Sequence, residues 1–67
     1  MDDQTKLLIN IGRELDGLAQ AITGLIKDIQ DVPTTIGTSG LINARAEVRE
    51  VQRSVATAIG IRLTEGS

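Results

Sequence analysis

Cysteine, histidine and aromatic residues are all absent from this chain of 67 residues. Without cysteine it forms no disulfide, and without cysteine and histidine it lacks the usual ligands of structural zinc. Aromatic side chains bury the largest apolar areas, so any core must be built from Leu, Ile, Val and Ala. A domain this short buries little surface by itself. We therefore expect stability to come from protein partners, through self-association as a homo-oligomer or docking into a larger assembly.

The same absences bear on catalysis and on cofactors. Histidine is the usual general acid or base near neutral pH, and cysteine is a common nucleophile. The serines have no base placed to activate them, and the carboxylates of Asp16, Asp28 and Asp31 lack the spacing of an oxygen-ligand cage. We expect a chain that is not an enzyme, with no catalytic residues, no metal site and no cofactor.

Charge of either sign is also modest, with seven basic and nine acidic residues and a net charge of −2. A chain without a positive field or aromatic stacking residues is not expected to bind nucleic acid. Its apolar stretches are interrupted well short of a membrane span, and Asp2 and Asp3 stand where a signal peptide carries positive charge. We expect no membrane partner and a location in the cytoplasm or within an assembled particle.

What the chain does contain is a regular apolar stripe in its first half. A 3.5-residue repeat sustained this long is typical of a helix that packs along another helix. We expect helix 1 to span about residues 3–32, capped by Asp2 or Asp3 and ended by Pro33. The stripe is formed by Leu8, Ile11, Leu15, Leu18, Ile22, Leu25, Ile29 and Val32.

A second periodic segment predicts helix 2 over about residues 41–63, after a loop at 33–40 and before a frayed tail at 64–67. The fold class is therefore all-α: one domain, residues 1–67, folded as a helical hairpin that packs as a coiled coil or helical bundle with other chains. A single bent rod is the competing arrangement. The apolar positions of helix 2 are Leu41, Ala44, Val48, Val51, Val55, Ala58 and Ile59.

Small residues flank the stripe of helix 1. Gly12 and Ala19 lie beside it, and Gly17, Ala21 and Gly24 form a shallow groove on the helix surface. Glycine inside a helix costs about 1 kcal/mol relative to alanine. We expect a neighbouring helix to approach closely at this groove and to compensate for that cost.

Helix 2 carries its charges on separate sides of its stripe. Like charges four residues apart weaken an isolated helix, so the basic side should have acidic neighbours. Those neighbours could be carboxylates of helix 1, such as Glu14, Asp16 and Asp28, or the acidic side of another copy; a solvated face is the third possibility. The candidates for charge pairing between subunits are Arg45, Arg49 and Arg53 on one side and Glu47 and Glu50 on the other. Arg62 ends the stripe and is expected to reach water or the terminal carbonyls.

These features predict a structural or assembly protein, such as a small subunit of a virion or of a secretion-type particle. The alternative is a small regulatory adaptor or inhibitor that binds a partner through its amphipathic helix 1. A peptide lying on a membrane surface is a third class, disfavoured by the mixed charges on the polar side of helix 1.

Overall fold

The computed structural model describes residues 2–65, which form two helices and no strand. Helix α1 runs from Asp3 to Gln30, and helix α2 runs from Ser39 to Glu65. The two helices pack against each other in an antiparallel pair measuring 54 × 14 × 12 Å between Cα atoms. The predicted all-α helical hairpin is confirmed, and the bent rod is not what the chain forms.

Helix α1 begins at a side-chain cap and ends just before the proline. The Asp2 carboxylate accepts a hydrogen bond of 2.7 Å from the backbone N–H of Thr5. At the other end the Asp31 N–H donates to the carbonyl of Lys27. The helix stops two residues before the predicted Val32, because a residue that precedes proline is driven out of helical geometry and the last turn unwinds with it.

Helix α2 is longer at both ends than the sequence predicted. Its first turn closes when the Ile42 N–H donates to the Thr38 carbonyl at 2.9 Å, so the helix begins at Ser39. At its far end the Thr64 hydroxyl donates to the Gly60 carbonyl at 2.9 Å. No proline or other helix breaker interrupts Thr64 or Glu65, so these two residues of the expected tail continue the helix. Residues 66–67 of that tail lie outside the described part.

The core of the hairpin is thin and belongs mainly to α1. Within residues 2–65, the buried hydrophobic side chains are Ala19, Ile22 and Ile26, and Thr5 is the buried polar one. Helix α2 has no fully buried residue and contributes half-buried side chains. A core of one alanine and two isoleucines removes little apolar area from water, so packing between α1 and α2 can supply only a small part of the stability of a domain.

Candidate protein interaction surface

The predicted stripe of α1 is divided in two by the position of α2. Alternate residues of the stripe form two rows. The central row, which is Leu8, Leu15, Ile22 and Ile29, faces α2 and is half-buried or buried. The outer row is Ile11, Leu18 and Leu25; Leu18 is 49% exposed and Leu25 is 51% exposed, whereas Ile11 is half-buried. Val32, the last residue of the predicted stripe, lies beyond the end of α1 and is exposed.

A third row of α1, which is not part of the predicted stripe, completes its contact with α2. This inner row consists of Thr5, Gly12, Ala19 and Ile26, spaced seven residues apart. Ala19 has no exposed surface, and a Cβ built on Gly12 would lie 3.7 Å from Cγ1 of Val55. The small residues of the inner row leave room for side chains of α2, such as Val55, to pack against α1.

Helix α2 has the same three rows as α1, with an inner row, a central row and an outer row side by side. Its inner and central rows face α1 and are half-buried. In its outer row Val51 is 51% exposed, whereas Ala44 and Ala58 are half-buried. The inner row is Arg45, Gln52 and Ile59; the central row is Leu41, Val48, Val55 and Arg62; and the outer row is Ala44, Val51 and Ala58. The predicted apolar positions of α2 are therefore also divided between the hairpin contact and an open side.

The outer rows of the two helices lie on the same face of the hairpin. At 100° per residue, each outer row is about 60° from its central row, on the side opposite the inner row. Because α2 runs antiparallel to α1, the same rotation about each helix axis points to one common side. We call this side the apolar face. It consists of Leu18, Leu25 and Val51, which are exposed, and Ile11, Ala44 and Ala58, which are half-buried.

The opposite side of the hairpin is held by polar contacts between the helices. Asp16 accepts from Arg49 at 2.8 Å and from Gln52 at 3.4 Å, and Arg45 donates to the Thr23 hydroxyl at 3.2 Å. The hydrogen bond from Arg49 is the main reason that the pKa of Asp16 lies below its ordinary value, with a smaller effect from Gln52. We call this side the polar face.

Several charged residues singled out in the sequence are therefore engaged within the chain. Arg49 pairs with Asp16, which is one of the helix 1 carboxylates named as possible partners, and Arg45 bonds Thr23. Arg53, Glu47 and Glu50 remain exposed on the surface of α2. Charge pairing between subunits through these three residues stays a prediction.

Arg62 matches the expectation only in part. Its side chain is 37% exposed, but its guanidinium crosses to α1, where it donates to the Gln4 side chain and lies 3.6 Å from the Asp2 carboxylate. Hydrogen bonding from Thr5 is the first cause of the lowered pKa of Asp2, and Arg62 adds to it. An arginine ends the apolar row because the open end of the hairpin places two polar side chains beside it.

The predicted groove at Gly17, Ala21 and Gly24 is not occupied by α2. A Cβ built on Gly17 or Gly24 would meet no other atom within 4 Å, and all three residues are exposed. Close approach of another chain at this groove stays a prediction.

Three residues of the hairpin contact were missed in the sequence: Thr5, Ile26 and Gln52. The seven-residue spacing of Thr5, Gly12, Ala19 and Ile26 was the signal that could have identified the inner row.

The remaining surface offers little for a small ligand. An open groove of about 360 Å³ runs along the polar face, where Gly12 leaves space opposite Val55. In the part of the chain from Asp2 to Glu65, no cluster of three or more acidic residues is arranged to hold a metal ion. Over the same residues neither helix has the length and hydropathy of a membrane span.

Comparison with known proteins found no family model, no curated protein and no solved structure that matches this chain.

Proposed function

We propose that this chain is a non-enzymatic structural subunit that assembles with other protein chains through its apolar face. The observation that carries the proposal is the exposure of Leu18, Leu25 and Val51 on one side of a hairpin whose own core is small. Fully burying an exposed leucine or valine side chain stabilises by about 1.5–3 kcal/mol, and these side chains, being about half exposed, have about half of that left to gain. Covering the apolar face with another chain would therefore bury further apolar surface that the contact between α1 and α2 leaves in water.

The non-enzymatic part of the proposal rests on residue types. The chain has no histidine or cysteine to act as a base or nucleophile, and its conspicuous surface is apolar. Apolar surface of this extent on a small protein is typical of a protein interaction site.

Insertion of α1 alone into the groove of a partner, as in an adaptor or inhibitor, uses the same outer row of α1. The presence of Val51 on the same side favours docking of the whole hairpin, because a partner that contacts only α1 leaves the α2 side of the face in water. The measurement below separates the two roles.

The proposal is tested by the mass of the chain in solution. We expect the unmodified protein to form a stable oligomer at micromolar concentration in sedimentation equilibrium. Leu18→Asp combined with Leu25→Asp should lower that mass to a single chain, because two carboxylates cannot be buried in an apolar contact without a large desolvation cost. A folded single chain at every concentration would contradict the proposal, and a lone chain that is mostly unfolded by circular dichroism would favour the adaptor.

The matched control is a pair of apolar residues with similar exposure on the other side. Ile42 and Leu63 are 41% and 51% exposed and lie on the polar face. Ile42→Asp combined with Leu63→Asp adds the same charge and should leave the oligomer mass unchanged. If both double variants dissociate, the effect is general and does not identify the apolar face.

A further inference from the structure

Resting on the proposed function, we propose that the occupant of the apolar face is a second copy of this chain. The two copies are related by a twofold axis parallel to the helices, so that α1 of each copy lies over α2 of the other. The product is an antiparallel four-helix bundle. Four observations carry this proposal: the order of the rows, the sizes of the outer-row residues, the charges at the margins and the area of the face.

The order of the rows is that of a helix within a bundle of four. A helix at one corner of a four-helix bundle directs two adjacent apolar rows toward the common centre and contacts its two neighbours with the rows on either side. In α1 and in α2 the central and outer rows together occupy those two positions. Within one hairpin the partner helix covers the central row, and the second copy would cover the outer row.

The contacts within the hairpin show which residues of α1 and α2 lie at the same height, meaning the same position along the long axis. Gly12 lies beside Val55, Asp16 bonds Arg49, and Arg62 reaches Gln4, so residues at equal height have numbers that add to about 67. A twofold axis parallel to the helices leaves every height unchanged. The same pairing of heights therefore applies between α1 of one copy and α2 of the other.

At these heights the outer rows are complementary in size. Each larger residue of α1 lies nearest a smaller residue of α2: Ile11 with Ala58, Leu18 with Val51, and Leu25 with Ala44. With α1 stacked on α2 of the second copy, large and small side chains alternate in every layer, as close packing requires. A twofold axis perpendicular to the helices stacks α1 on α1 and α2 on α2, which sets the larger residues against each other and leaves the alanines facing alanines.

The margins of the apolar face are also compatible with a second copy. In the parallel-axis arrangement no two carboxylates meet at the same height, and each acidic residue faces a small or polar one. Like charges placed opposite each other would oppose association. The marginal pairs between copies are Leu7 with Ile61, Glu14 with Ser54, Ala21 with Glu47, and Asp28 with Gly40.

The area of the face is close to what a stable dimer needs. The side of the hairpin measures 54 × 14 Å between Cα atoms, which is long and wide enough for a contact of standard size, in which each partner buries about 800 Å² of accessible surface. A second copy therefore covers the face completely, whereas a single helix of another protein covers about half its width.

The arrangement is tested by disulfide formation between introduced cysteines, since the chain has none of its own. Ala21→Cys combined with Glu47→Cys places one thiol on each outer margin of the apolar face. Within one hairpin these positions lie on the far sides of different helices, too distant for a disulfide, but across the proposed axis they are opposite each other. Mild oxidation should convert most of the protein to a covalent dimer in non-reducing electrophoresis, at the mass of two chains.

Gln20→Cys combined with Ala46→Cys is the matched control, because these positions have the same heights on the margins of the polar face. The control should stay at the mass of one chain after the same oxidation. Both variants are compared under reducing conditions by circular dichroism and sedimentation, so that a folding defect is recognised; Leu7→Cys with Ile61→Cys provides a second test pair at the other end of the bundle.

The outcomes separate this inference from the proposed function. If the unmodified chain is an oligomer but neither test pair crosslinks better than the control, this arrangement is overturned and the assembly role stands. A mass above two chains for the unmodified protein also overturns it. If the unmodified chain is a folded monomer, both proposals fail.

Discussion

At the scale of single residues, Asp16 is the side chain that joins the two helices on the polar face. Its carboxylate accepts from Arg49 and Gln52 on α2 and from Gln20 on its own helix. The Asp16 and Arg49 side chains are 44% and 43% exposed, so the pair is screened by water and contributes little to stability by itself. The contact between Asp16 and Arg49 instead helps to set the register of α1 relative to α2.

The lowered pKa values of Asp16 and Asp2 predict loss of stability in acid. A carboxyl group whose pKa is lower in the folded chain than its ordinary value of 3.8 contributes stability that is complete above that value. The contribution is lost as the pH falls through the lower folded pKa. We expect the melting temperature to fall as the pH is lowered below about 4.

The part due to Asp16 is isolated by substitution. Asp16→Asn should flatten the decline of the melting temperature between pH 4 and pH 2, about the range in which carboxyl groups titrate, followed by circular dichroism. Asp28→Asn removes one exposed carboxylate from the same helix and serves as the control; Asp16→Asn should flatten the decline more than this variant does. The difference should be small because the pair is exposed, and equal slopes for the unmodified chain and Asp16→Asn would contradict any contribution of the Asp16 hydrogen bonds to the folded state.

At the scale of the elements, the sequence predicted both helices and their antiparallel pairing, but it did not predict which side of α1 faces α2. The central row of α1 is flanked on one side by the large apolar residues Leu18 and Leu25, and on the other side by the small residues Gly12 and Ala19. The size of the leucines suggested that their side would contact α2. In the structure the side with Gly12 and Ala19 makes this contact. Arg45 and Gln52 of α2 lie on that second side, where their hydrogen bonds to Thr23 and Asp16 join the two helices.

The ends of α1 could be predicted approximately from the sequence, but the contacts made between the helix ends could not. Asp2 and Pro33 marked the start and the approximate end of α1 correctly, because capping and the proline ring act within one turn. The hydrogen bonds of Arg62 with Gln4 could not be found that way, since they join residues 58 positions apart that only the hairpin brings together. Local chemistry is readable in the chain, whereas contacts between helices depend on their rotation and register.

The glycines of α1 give a prediction at this scale. Gly17 and Gly24 have open space where a Cβ would be, so Gly17→Ala and Gly24→Ala should each raise the free energy of unfolding by up to about 1 kcal/mol through helix propensity. Urea denaturation measures this gain, and sedimentation should show an unchanged oligomer mass. A lower mass in either variant would mean that a helix of another chain does occupy the groove formed with Ala21.

At the scale of the whole molecule, the hairpin is a slender rod with a thin core. Only Ala19, Ile22 and Ile26 are buried hydrophobic residues within the part that the structure describes. Stability that depends on contacts between chains follows mass action, so it rises with protein concentration.

This dependence gives a prediction that needs no substitution. The melting temperature of the unmodified chain should increase steadily from low micromolar to high micromolar concentration, measured by circular dichroism with the path length adjusted. The Leu18→Asp and Leu25→Asp double variant serves as the comparison, and its melting should be independent of concentration. A constant melting temperature for the unmodified chain would show that the hairpin is stable alone.

The hydrogen bond from Arg62 to Gln4 places the first turn of α1 beside the last turn of α2. The first and last described residues therefore leave the rod at one pole, and the loop with its exposed Ile36 forms the other. A twofold axis parallel to the helices preserves this direction. In the proposed dimer, the four helix ends near the termini therefore lie at one pole and the two loops lie at the opposite pole. Such a particle is directional: cargo fused to either terminus would be displayed at the same tip.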